Sequence, residues 1–117
     1  MGIQINFAPD IDVNSNTDNP VIGLRSFGEN PRAVADKGIA YARGLETAGI
    51  ISVAKHFPGH GDTSDDSHNT LPAVHHDRAR LDSVELYPFK RYIYDGYAGV
   101  MTGHLYVPAL DKTRNLP

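Results

Sequence analysis

The chain has 117 residues, 40% of them apolar, with a formal net charge of -3 and a pI near 6.0. That is the length of one small domain with a core, and the charge gives no argument for nucleic acid or an anionic membrane surface. There is no cysteine, which excludes a disulfide framework and a thiolate metal site but leaves the compartment open, and no apolar run approaches the roughly 18 residues of a membrane span.

Ile3 to Ala8 alternates apolar and polar residues, the period of a strand. Residues 9–30 are rich in Asp, Asn, Pro and Gly and read as a long loop. Asn30-Pro31 then opens a helix, with Asn as N-cap and Pro in the first turn. Val34, Gly38, Tyr41, Leu45 and Ala48 recur on one helical face, and Gly49 is placed to end it. The apolar run Ile50 to Ala54 reads as a buried strand. Lys55 and His56 follow it, at the head of a loop that holds His60, Asp62, Asp65, Asp66 and His68 among two glycines and a proline. Such a loop cannot be a helix interior. Asp82-Ser83-Val84-Glu85 has the form of a capping box, with Leu86, Phe89 and Ile93 as the apolar face of a second helix that ends at Gly96. Ala98 to Thr102 completes a third strand.

The order strand, helix, strand, helix, strand predicts an α/β fold with right-handed crossovers and a parallel sheet. Each strand is followed by polar residues: Asp10, Asp12 and Asn14, then Lys55 and His56, then His104. In open sheets and barrels alike, ligands bind at the C-terminal ends of parallel strands. Three strands cannot close a barrel, so the expectation is a segment of one. The apolar start at Ile3 and the unclosed end at Pro117 agree with a piece of something larger.

Residue chemistry leaves several readings open. His56, His60 and His68 with Asp62 or Asp66 offer a looped metal site, although Pro58 and Gly59 forbid a helical His pair. His60 between two glycines has a simpler role in rigidifying its loop. Asp66-Ser67-His68 places a carboxylate within reach of an imidazole. Such a pair fixes the tautomer, raises basicity and leaves one ring nitrogen for proton transfer. Arg25 in the first loop is either a surface residue or a bidentate clamp on substrate hydroxyls or a carboxylate. Tyr87, Tyr92, Tyr94 and Tyr97 read as packing.

Three stretches together resemble family 3 glycoside hydrolases, in particular the bacterial β-N-acetylglucosaminidase (β-hexosaminidase) branch. They are Asn6 to Asn14 with Arg25-Ser26-Phe27-Gly28; Lys55 to Thr63 with Asp66-Ser67-His68; and Val100-Met101-Thr102-Gly103-His104. The resemblance spans essentially the whole chain. It implies a TIM-like (β/α)8 barrel, of which residues 1–117 would be a central fragment with about three parallel strands and two helices. It also implies removal of terminal β-linked N-acetylglucosamine from glycans or cell-wall fragments, with retention of configuration; no cofactor and no metal are expected. Most retaining glycosidases use two carboxylates; this branch resembles an exception in which His68 is the acid/base and Asp66 its partner. Arg25, Lys55 and His56 match sugar-binding positions, and His104 a strand-end histidine near the site. The family's nucleophile is an aspartate on a later strand, with no matching motif before Pro117, so the segment alone should be inactive. Alternatives are a β-glucosidase or glycoside phosphorylase of the same family, or a non-catalytic sugar-binding module.

Overall fold

The structure, a computed structural model, describes residues 2–63, 71–97 and 99–113. Three strands, β1 (Ile5–Asn6), β2 (Ile51–Phe57) and β3 (Gly99–Thr102), form a parallel sheet in the order β1-β2-β3. Helix α1 (Pro31–Thr47) connects the first pair. Two shorter helices, α2 (Arg78–Ser83) and α3 (Tyr87–Tyr94), connect the second. The predicted fold class and strand order therefore hold.

The ladder between β1 and β2 runs further than two residues. Ile51 N–H donates to the Gln4 carbonyl, Val53 to Ala8, Lys55 to Pro9, and Ile11 returns a bond to Lys55. This pulls Asp10 and Asp12 alongside the end of β2. β2 itself extends past Ala54 to Phe57, so Lys55 and His56 are strand residues and not loop residues. Alternation puts Ile51, Val53 and Lys55 on one face and Ser52 and Ala54 on the other. Phe57 would by parity share the face of Lys55, yet its ring packs edge-on against Phe89 at 5.4 Å. A register shift between Lys55 and Phe57 resets the alternation, with His56 as the extra residue.

Asn30 caps α1 as expected, its side chain accepting from Arg32 and Ala33 N–H groups, and Gly49 (φ 76°) lies just past the end. The buried face is Val34, Ala35, Gly38, Ile39 and Ala42; Tyr41 is exposed and only leans on Phe27. Gly38 is required there. A Cβ would stand 2.4 Å from Ile11 Cγ2, so only glycine lets α1 approach the segment after β1.

The second helical region departs from its reading. Asp82 does not open a helix: α2 starts four residues earlier, capped by the Asp77 side chain on Arg80 N–H. Asp82 lies in its last turn, held by Arg78 and Lys90. Pro88 sits in the first turn of α3, where it lacks only an N–H that has no intrahelical partner anyway, so the region is two helices with a kinked link. Ile93 is exposed; Phe89 and Tyr92 supply the buried face. Tyr92 donates its hydroxyl to the Ser52 carbonyl at 2.9 Å and packs on Tyr97, whereas Tyr94 is exposed. The main core is Ile11, Val13, Val34, Ala42, Ala54, Phe89 and Tyr92, between the helices and one sheet face.

Candidate active site

The site is built on Asp12, which is fully buried between the core residues Ile11 and Val13. A buried carboxylate must have its oxygens satisfied. Oδ1 accepts from His60 N–H at 2.7 Å. Oδ2 accepts from His56 N–H at 3.1 Å and meets His56 Nδ1 at 2.8 Å. The carboxylate is acceptor-only, so the hydrogen-bond network assigns the proton of His56 to Nδ1. Nε2 is left unprotonated and accepts from Arg25 Nη2 at 3.4 Å.

The same logic holds one turn further on. Thr63 directs its hydroxyl to the His60 carbonyl and lies 2.6 Å from His60 Nδ1. That network puts the proton on Nδ1 and leaves Nε2 of His60 buried, with no partner among the described residues. Asn19 donates to the His60 carbonyl at 2.8 Å while its oxygen accepts from Val21 and Ile22 N–H. The first loop and the His loop are thereby fastened together.

Arg25 ends a single 3-10 turn, Gly23–Arg25. Nη1 donates to the Val21 carbonyl, and Nη2 stands 3.3 Å from Asp10 Oδ2. Burial, and then the neighbouring Asp12 carboxylate, push Asp10 up to about 7, with His56 pulling the other way. The half-exposed Arg25 guanidinium also works against that rise through its ion pair.

Arg25, His56, His60 and His104 line one pocket of about 270 Å³ at the C-terminal end of the sheet, together with Thr102 and Gly103. The His56 ring contributes an Nε2 already bonded to Arg25, and the half-exposed Arg25 guanidinium contributes donors. Of the residues singled out in the sequence, Arg25, His56 and His104 are thus brought together. Lys55 does not line this pocket; it pairs with Met101 across the sheet and is half-buried. Asp66 and His68 lie outside the described residues. Asp12 was legible only as one of several polar residues after the first strand, and its apolar flanks were the signal that it is buried. His60 is hydrogen-bonded to Asp12 and Thr63, and it also lines the pocket.

The glycosyl hydrolase family 3 N terminal domain matches residues 1–117. The chain belongs to glycosyl hydrolase family 3. It is 50% identical over 115 residues to β-hexosaminidase A of Pseudoalteromonas piscicida, covering 97% of this chain and 19% of that protein. Its fold matches a family 3 β-N-acetylglucosaminidase from Paenibacillus sp. str. FPU-7 with a TM-score of 0.95 and 50% identity, over 97% of this chain and 22% of the other. NagZ from Neisseria gonorrhoeae, solved in complex with N-trifluoroacetyl-D-glucosamine, matches with a TM-score of 0.86 and 40% identity, over 94% of this chain and 32% of that one. The chain thus spans between about a fifth and a third of these relatives. No helix of the described residues is long and apolar enough to cross a membrane. In this family 3 chain the conspicuous polar residues after the three strands converge on one end of the sheet.

Proposed function

We propose that this chain forms part of the active site of a β-N-acetylglucosaminidase. In this reading it is a central piece of a TIM-like catalytic barrel that removes terminal β-linked N-acetylglucosamine with retention. The observation that carries the proposal is the pocket lined by Arg25, His56, His60 and His104, in which the Arg25 guanidinium and the His56 ring are held together by a hydrogen bond. Sugar hydroxyls are donors and acceptors at once, and a guanidinium beside imidazoles whose orientation is fixed by hydrogen bonds is complementary to them. Arg25, His56 and His104 hold the sugar here, and Lys55 reaches it from the neighbouring face of β2. His68, oriented by Asp66, donates its proton to the leaving glycosidic oxygen and then takes one from the incoming water. An aspartate outside this chain supplies the nucleophile. The relatives named β-hexosaminidase and β-N-acetylglucosaminidase support the substrate class.

The test uses the full-length protein and an aryl N-acetyl-β-glucosaminide. The wild type should hydrolyse it, and His56→Ala should weaken a competitive N-acetylglucosamine analogue about tenfold, the cost of roughly one hydrogen bond of 1.4 kcal/mol. Wild-type protein without turnover, or unchanged inhibitor affinity in the variant, would refute the reading.

A further inference from the structure

A second cluster of ionisable groups shares no residue with the pocket. Asp62, on the loop after β2, His76, just before the cap of α2, and Glu85, in the link between α2 and α3, each bring a ligand atom within 4.8 Å of the others. Asp62 Oδ2 and His76 Nε2 are in direct contact. Ser15 Oγ donates to Asp62 Oδ1 at 2.9 Å, and Arg80 Nη2 donates to Glu85 Oε1 at 3.1 Å. Each carboxylate therefore has one oxygen oriented by a neighbouring donor, as outer partners orient ligating groups at metal sites. A His–Asp hydrogen bond alone would account for Asp62 and His76. It leaves Glu85 unexplained. That residue is 2% exposed, and its Oε2 has no hydrogen-bond partner among the described residues. Its Cβ and Cγ pack close to Gly59, where an added Cβ would stand 2.8 Å and 3.2 Å from them. A buried carboxylate oxygen without a partner is costly.

We propose that Asp62, His76 and Glu85 bind a divalent transition-metal ion of the zinc class. One imidazole and two carboxylates are a zinc-type ligand set, with a fourth position open to water. The imidazole disfavours calcium and magnesium, which take oxygen ligands. The charges agree: Arg80 offsets one of the two carboxylates, leaving one negative charge for the cation. Donor atoms around one zinc stand roughly 3.3–3.5 Å apart, so small side-chain rotations would close this cluster. The ion would replace the Asp62–His76 hydrogen bond and satisfy Glu85.

The test is zinc titration of the full-length, chelator-stripped protein by calorimetry. It is paired with carbethoxylation footprinting of the histidines, read by mass spectrometry. Zinc should bind saturably and protect His76 from modification. His76→Ala and Asp62→Ala, both at partly exposed positions, should each weaken binding at least about tenfold while circular dichroism stays unchanged. His76 in the wild-type protein provides the readout should either variant fail to fold. Absence of saturable binding, unprotected His76 at saturating zinc, or full affinity in folded His76→Ala would each overturn the proposal. So would loss of binding only in His56→Ala or His68→Ala, since that places the ion elsewhere.

Discussion

Asp12→Asn changes one atom type in the core of the site, and the structure fixes what must follow. The amide keeps one oxygen, which can still accept from His60 N–H as Oδ1 does now. Its NH2 then occupies the place of Oδ2 and faces two donors, His56 N–H and His56 Nδ1–H. The ring can escape by moving its proton to Nε2, so that Nδ1 accepts from the amide. The backbone N–H cannot escape and is left unpaired. One unpaired buried donor costs about 1–3 kcal/mol, and the lost charge-assisted bonds put the total at about 2–4 kcal/mol, a large share of a typical domain's stability. The tautomer change has its own consequence: Nε2 becomes a donor pointed at the Arg25 guanidinium, 3.4 Å away. Inhibitor affinity should therefore fall along with stability. The assays are urea unfolding of the full-length protein and the nitrogen chemical shifts of a selectively labelled His56 ring. A variant with wild-type stability and an unchanged ring tautomer would refute the claim that Asp12 sets the protonation of His56.

Asp10 carries a pH signature. Its pKa is raised to about 7 from 3.8, so the folded state binds the extra proton. The stabilisation is complete below about pH 4 and is lost as pH rises towards 7, by at most about 4 kcal/mol. Asp10→Asn should flatten that slope in unfolding measurements between pH 4 and 7, and an identical slope would count against the assignment. Gly61→Ala places a Cβ 1.8 Å from the Val13 carbonyl oxygen. It should destabilise by about 3 kcal/mol or more, the upper end of overpacking costs; a melting temperature equal to the wild type's would contradict the close approach. His68→Ala should cut turnover strongly on substrates with poor leaving groups and much less on activated aryl glycosides, which need no protonation. Equal losses on both would remove His68 from the acid/base role.

Strand and helix order were readable because they rest on apolar period and on Gly and Pro punctuation. Asn30-Pro31 and Gly49 mark the ends of α1 in the sequence as they do in space. What period cannot carry is which of two local signals wins. Asp82 through Glu85 satisfies the capping-box pattern, but Asp77 caps a helix first. Glu85 is then engaged by Arg80, five residues back, rather than by the backbone at Asp82. The site was legible as positions, with His56 and His104 at strand ends and Arg25 in the loop after the first strand. It was not legible as a network. The bonds from Asp12 to His56 and His60 span 44 and 48 residues, and no local pattern encodes a contact at that separation.

The end of β2 shows how a single local irregularity distributes function. In a regular strand His56 would share the face of Ser52 and Ala54, under the helices, and Phe57 would share the open face with Lys55. The register shift between Lys55 and Phe57 sends the Phe57 ring to Phe89 in the core instead. Asp12 holds His56 towards the Arg25 pocket. Lys55 keeps the face it shares with Ile51, whose register partner Ile5 is likewise exposed, as are Ile3 and Phe7. That apolar row lies opposite α1 and α3, the side that becomes the packed interior when parallel strands close into a barrel. The polar end of the row would then carry Lys55 at the rim of that interior, next to the pocket mouth. Three consecutive residues thus serve three surfaces: Lys55 the open face, His56 the pocket, Phe57 the core. The bulge is what lets a buried parallel strand supply two cationic or imidazole groups to one end of the sheet without sacrificing the aromatic contact that anchors it.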